Sequence, residues 1–559
     1  MVRILAVALL AVLGCKDDFD SGGESEGEGG AAVVLAISPL DAVVSLSPGV
    51  PGTQAYTVTA TSADGVSADV TGDARLTAAE PNLGTFVGAT FTSGDARGGR
   101  TIVTATYGGA TASTGVTLRF STTVIAGGAP KNAATLFEGA DDPARAPAFV
   151  YPESGVLVPP NLLLLNYQWN AGGNDLFELR FANAQTDIVV YTLGASFQAD
   201  LGTWTYLAET NRGDAVEVSL RGTSAAGGAS VGTAAPISVK FSEENVLGGI
   251  YYWTTTDQGV IRYDFGAPSS APEAFYTPVQ SGRCVACHVV TRDGARMAFE
   301  FNGGDQQAGI LDIASRALLA DSTYQANFQT YSPDGALLAT TFQGTLTLRE
   351  GLTGGAMGTI PTGGYATHPD WSPDGETIVF TLPAGASADW EVSGGSLVTV
   401  PYAGGAWGAT STLVASGGEN NYYSSFSPDG EWVIFNRAPG GSNNNPEADV
   451  YVVRVADGTV IELARANGPP SVTNSWARWS PFVQRWNEKG KLMWFTVSSK
   501  RAYGNALAAG QPQLWMAAFD PALAEGGEDP SFPAFWLPFQ NIGTSNHIAQ
   551  WTEVIVGVD

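Results

Sequence analysis

The sequence predicts an all-β protein: two β-sandwich modules followed by a β-propeller of six blades. Three observations carry this. The composition is turn-rich and weakly charged, with 69 glycines, 14 tryptophans and only 14% charged residues in 559, which is the profile of an extracellular β protein rather than a helical enzyme. Residues 32–247 contain runs in which apolar and polar side chains alternate, the pattern of strands with one face buried. Beyond residue 290 a turn motif of aromatic-Ser-Pro-Asp-Gly returns at intervals of 40 to 55 residues, the spacing of propeller blades.

The first thirty residues are an address. Arg3 is a one-residue basic region, and Ile4 to Leu13 is an apolar run too short to span a bilayer. Val12-Leu13-Gly14-Cys15 resembles a bacterial lipobox. The resemblance implies a signal peptide over 1–14, cleavage before Cys15, and lipid on that cysteine; an ordinary secretory signal with an incidental cysteine is the alternative. Residues 15–31 (CKDDFDSGGESEGEGGA) form an acidic tether of disordered composition. The expected location is the cell envelope, lipid-anchored at the outer membrane on its periplasmic or cell-surface side. The 54 acidic against 27 basic residues, a formal charge of −27, repel phosphate backbones and exclude nucleic acid as a partner.

Residues 32–122 carry Tyr56-Thr57-Val58-Thr59-Ala60 and the run Thr101 to Tyr107, with Ala63-Asp64-Gly65 as a tight turn. The segments Ser62 to Gly72 and Thr101 to Gly109 resemble bacterial Ig-like domains of the invasin/intimin type, which implies a spacer or adhesive module. Residues 127–247 contain Phe177 to Phe181, Val216 to Arg221 and Ile237 to Phe241, each alternating. They predict a second Ig-like or fibronectin-like sandwich. Both modules are expected to hold the next domain away from the membrane.

From 249 to 559 the repeat dominates. Tyr331-Ser-Pro-Asp-Gly335, Trp371-Ser-Pro-Asp-Gly375 and Phe426-Ser-Pro-Asp-Gly430 are three copies, Trp479-Ser480-Pro481 a degenerate fourth, and Thr291-Arg-Asp-Gly294 begins the series. Proline sets φ in the turn, aspartate bonds nearby backbone, and glycine takes the left-handed position. Five blades are expected to start near 284, 325, 365, 420 and 473. The sixth is composite: Asn546 to Val556 would pair with Ile250 to Thr254 and Val260 to Phe265, closing the ring and removing open edges. The motifs resemble TolB-type propeller repeats, which are usually six-bladed.

Cys284-Val285-Ala286-Cys287-His288 spells C-x-x-C-H in a chain with three cysteines and three histidines, the attachment sequence of a c-type haem. Two thiols at that spacing can each form a thioether to one vinyl group, and His288 can ligate the iron. The same residues could instead form a redox disulfide or contribute to structural zinc. Aligning Thr291 with Ser372 puts Cys287 where His368 sits, on or before the innermost strand of a blade. Tyr365, Tyr422, Tyr423 and Trp476, at matching positions, are candidates to pack a haem. His547 is the favoured second metal ligand, ahead of His368 and Met297. No G-x-S-x-G pattern stands at a strand-to-helix elbow, and no H-E-x-x-H helix or phosphate loop occurs, so no catalytic residue is assigned. The Asn443 to Asp449 segment reads as a solvated hairpin loop. The expected role is electron transfer or redox sensing through haem c, with a redox protein as partner. The alternative is a non-catalytic protein- or glycan-binding scaffold.

Overall fold

The computed structural model describes residues 33–267, 271–304 and 306–557. The signal peptide, Cys15 and the tether lie outside the described residues. Among those described, no helix is long and apolar enough to cross a membrane.

The repeat region forms six successive antiparallel sheets, numbered I to VI here. Sheet II runs outward through Val285–Val290, Arg296–Phe301, Gln307–Asp312 and Leu318–Gln325. Sheets III to VI begin at Phe328–Tyr331, Thr367–Trp371, Asn420–Phe426 and Ser475–Trp486. These starts lie within three residues of those read from the repeat. Sheet I is built from both ends of the region: Gly249–Thr254 pairs with Gly259–Asp264 on one side and with Asn546–Thr552 on the other. The innermost strands touch in cyclic order, and Asn546–Thr552 lies against both Ser475–Trp486 and Val285–Val290, so the ring is closed. This is a β-propeller with its first sheet sealed by the chain's last strand.

The Ser-Pro-Asp-Gly turns work as the sequence implies, with one addition. In each, the aspartate accepts the backbone N–H two residues on and the serine hydroxyl donates to the same carboxylate; Ser332, Asp334 and Ala336 are an example, at 2.6 and 3.0 Å. Glycines 294, 335, 375 and 430 sit at φ near 70° (67°, 68°, 75° and 73°), where a side chain would be strained. The serine oxygen also accepts the first N–H of the next strand, as from Leu337 at 2.9 Å. That bond sets where each second strand begins.

The amino-terminal modules are more tightly joined than two beads on a string. One strand, Ala110–Ile125, pairs antiparallel with Gly99–Tyr107 in the first module and parallel with Thr186–Leu193 in the second. A ten-stranded sheet therefore runs through both. The cause is in the sequence: from Val116 no glycine or proline occurs until Gly127, so nothing ends the strand at 122. The second module also contains a helix, Leu201–Thr210, capped by Asp200 accepting from Thr203 N at 2.8 Å. Its threonines and aromatics read as strand formers, which hid it.

This module packs against the flank of the ring instead of holding it at a distance. Gln168 Oε1 accepts from the backbone of Asn505 and Ala506 at 2.8 and 3.1 Å, and Trp536 N donates to the Tyr151 hydroxyl at 3.0 Å. Tyr151 also meets Tyr503 edge-on at 4.9 Å.

Ring closure is testable at Trp551. Its buried indole stacks on Phe265 at 5.2 Å and donates to Thr496 Oγ1 at 3.2 Å. Trp551→Ala is expected to cost about 3–5 kcal/mol, read as a lowered denaturant midpoint. Ile102→Ala, at an exposed strand position of the first module, should stay within about 0.5 kcal/mol of wild type.

Candidate functional site

Four residues before the serine or threonine of each turn, the inner strands present Cys287, Phe328, His368, Tyr423 and Trp476; Ile548 holds the same place before Thr552. Five of the six are non-glycine residues with left-handed φ: Cys287 at 40°, His368 and Tyr423 at 53°, Trp476 at 56° and Ile548 at 49°. The ladder slips at each of these points, for example between Ala286 and Val289 and between Thr367 and Asp370. Such bulges insert an extra residue and re-aim its side chain. Backbone held in this region costs about 1–3 kcal/mol per residue and clusters at functional sites.

The re-aimed side chains meet on the ring axis. Tyr423 stacks on Trp476 with centroids 3.8 Å apart, and His368 lies 4.5 Å from Phe328 and 4.4 Å from Tyr423. Phe328 of sheet III also reaches Trp476 of sheet VI at 5.5 Å, although sheets IV and V stand between them along the chain. These rings plug the channel. Above them opens a cavity of about 380 Å³, walled by Trp253, Phe328, Trp390, Tyr423 and Trp476. On the turn side a smaller one of about 120 Å³ is lined by Asp370 and Arg478.

Cys287 lines the upper cavity. Its thiol hydrogen-bonds Glu300, a buried carboxylate on the next strand, and burial followed by that carboxylate pushes the thiol well above its ordinary range. Burial and then Glu300 raise Cys284 in the same direction. Both are free, half-buried thiols. His288 faces the other way. It is 2% exposed, and its Nε2 lies 3.0 Å from the carbonyl of Tyr251 in sheet I, while Nδ1 has no hydrogen-bond partner. Burial drives its pKa down to about 4.

Of the proposed second ligands, His547 alone lines the cavity. It sits opposite Trp253 across sheet I, ring centroids 6.1 Å apart. Burial, then nearby Lys500, lowers its pKa to about 4. His368 is inside the plug, its Nδ1 directed at Thr381 Oγ1 at 3.4 Å. Met297 is core, paired with Val290 and Leu311 and fully buried. Among the aromatic candidates, Tyr423 and Trp476 line the cavity. Tyr422 points into sheet V's packing, and Tyr365, which does not line the cavity, donates to Asp389 at 2.6 Å.

Sequence reasoning missed Phe328, Glu300, Trp253, Trp390 and the Asn443-Asn444 loop, all of which line the cavity. Phe328 was within reach, because it shares the turn register of Cys287. The two asparagines read as solvated loop because nothing local marks a loop that folds over a channel.

A thioether-linked haem fits these residues in part. Cys287 lines an open, ring-walled cavity, whereas neither Cys284 nor His288 does, and His288 has one ring nitrogen committed to Tyr251. Among the described residues, no three His, Cys, Asp or Glu side chains gather as a metal-binding group, so the zinc alternative finds no ligand set there.

No family model and no curated protein matches the sequence. Among solved structures the chain is similar to TolB from Acinetobacter baumannii, at 14% identity over 60% of this chain and 79% of that one, with a TM-score of 0.34. It is similar also to a protein assigned as TolB from Agrobacterium tumefaciens, at 15% identity over 52% and 88%, TM-score 0.31. A third likeness is to hydrazine synthase from Kuenenia stuttgartiensis, at 16% identity over 43% and 70%, TM-score 0.30. The propeller rests on its own sheet order.

His288 makes stability depend on pH. Its folded pKa of about 4 lies below the ordinary 6.5, so the unfolded chain takes up the proton first. This contribution is complete above about pH 6.5 and is lost as pH falls toward 4, by about 2 kcal/mol between pH 7 and 5. Denaturant midpoints at the two pH values should show that much less loss in His288→Asn than in wild type. Equal losses would mean the ring is not held neutral and buried.

Proposed function

We propose that the chain is a lipid-anchored protein of the cell envelope, in which two Ig-like sandwiches and a six-bladed, TolB-type propeller carry one covalent haem c for electron transfer or redox sensing. One observation carries this reading. Of the six residues aimed at the axis, Cys287 has the smallest side chain, and the cavity opens beside it. Cys287 of the C-x-x-C-H motif therefore stands in the wall of the cavity, beside the aromatic plug.

Cys284 and Cys287 would hold the group, each thiol adding its sulfur and hydrogen across one vinyl double bond. Bound there, a haem supplies a reversible one-electron couple. The chain's part is to exclude water: Trp253, Phe328, Trp390, Tyr423 and Trp476 give the cavity a low-dielectric wall, a lever on reduction potential. The raised thiol pKa values bear on timing. A protonated thiol is a poor nucleophile, and burial in sheet II raises both thiol pKa values and so lowers their thiolate fraction further. Attachment then belongs before the ring closes. A redox partner would approach the open mouth.

The second reading is a non-redox binding propeller. It is favoured by the amides of Asn327, Asn443 and Asn444 beside three tryptophans in the cavity wall, a combination suited to stacking and hydrogen-bonding a glycan.

Haem staining of denatured protein from a host with working cytochrome c maturation decides between them. A signal that disappears in Cys284→Ala/Cys287→Ala is expected, and an unstained wild type would leave the binding reading. Separately, Cys15→Ala should move the protein from the membrane fraction to the soluble one.

A further inference from the structure

The turn-side chamber has its origin in the repeat register. Two residues before the serine or threonine of each turn, the inner strands present Val289, Thr330, Asp370, Ser425, Arg478 and Gln550. All six line that chamber. A second ring therefore lies beside the aromatic one, and every member but Val289 is polar. Two of them, Asp370 and Arg478, are buried groups of opposite charge, and a buried ion without a full set of partners is costly.

These polar groups differ in how far they are satisfied. Asp370 Oδ2 accepts from Phe426 N at 2.8 Å, its Oδ1 lies 3.4 Å from the Thr330 hydroxyl, and Ser425 also bonds the carboxylate. Arg478 commits only Nη1, which donates to the Tyr423 and Ala477 carbonyls at 3.3 and 2.9 Å. Its Nε and Nη2, and the whole side-chain amide of Gln550, enter no hydrogen bond among the described residues. Gln550 and Arg478 stand on inner strands that touch. Asp370 and Arg478 act on each other electrostatically, yet form no ion pair among the described residues. Arg292, also in the wall, faces Glu553 at 3.9 Å.

The chamber of about 120 Å³ has the liquid volume of about four waters. A simple anion would satisfy Arg478 and Gln550 but meet the Asp370 carboxylate, and a simple cation would meet the guanidinium. A molecule carrying both charges one carbon apart suits both walls. From this ring we infer a binding site for a small α-amino acid, with its carboxylate accepting from Arg478 and the Gln550 amide and its ammonium donating to Asp370. A guanidinium offers a carboxylate two parallel N–H groups, which fixes orientation as well as charge. The volume suits glycine or alanine. Burial, the main cause, raises the pKa of Asp370 and lowers that of Arg478, as expected of charges whose partners are incomplete. The chamber shares no lining residue with the cavity beside Cys287, so the inference stands apart from the haem reading.

The test is calorimetric titration of the full-length protein, together with its thermal midpoint, using glycine and L-alanine as probes. Acetate and methylammonium serve as the two half-molecules. Glycine should give a saturable heat and raise the midpoint, and each half-molecule should bind at least about tenfold more weakly. Asp370→Asn keeps an oxygen to accept from Phe426 N, and Gln550→Leu breaks no hydrogen bond. Each should weaken glycine at least about tenfold, while Ile102→Ala in the first module binds as wild type does. No saturable response to glycine or alanine at ~10 mM overturns the inference. Acetate binding as tightly as glycine also overturns it, leaving a plain anion site, and so does an unchanged affinity in both chamber variants. Should Asp370→Asn fold poorly, Gln550→Leu and the half-molecules still decide.

Discussion

Everything around the cavity depends on one backbone pairing between strands almost three hundred residues apart. Asn546–Thr552 adds to Gly249–Thr254, with Gly249 opposite Thr552 and Thr254 opposite Asn546. Without it, sheets I and II would each lose the neighbour that covers them, and an open sheet edge invites wrong pairing. The seam also gathers the site. Trp253 comes from one partner strand and His547 from the other, while the Tyr251 carbonyl that meets His288 lies two residues before Trp253 on the same strand. The cost of closing so long a loop grows only slowly with its length. The ladder and the stacking of Trp551 on Phe265 are well placed to offset it.

The repeat was the most legible part of the sequence because its physics is local. Ser, Asp and Gly of each turn bond within five residues of one another, so the motif survives without any distant contact. The same register placed Cys287 level with His368, and both are bulge residues with left-handed φ. What the register could not supply was the direction of His288. A bulge breaks the two-residue alternation that strand reasoning relies on, and no residue type signals one here: cysteine, histidine, tyrosine, tryptophan and isoleucine all occupy it.

Longer-range features were hidden for a related reason. The sandwich boundary near 122 was inferred from turn signals, and the strand simply runs on until Gly127. The docking of the second module rests on single polar atoms, such as Gln168 Oε1, finding backbone N–H groups more than three hundred residues away. No periodicity encodes such a match.

The aromatic plug has a further consequence. Phe328, His368, Tyr423 and Trp476 pack against one another across the ring, so aromatic side chains stand between the two chambers, and the propeller is a socket rather than a pipe. The buried Asp370 and Arg478 line the opposite chamber, where Arg478 donates to the Tyr423 carbonyl at 3.3 Å. The two faces of a single disc can thus evolve under separate demands, one for what the cavity holds and the other for what the disc leans against.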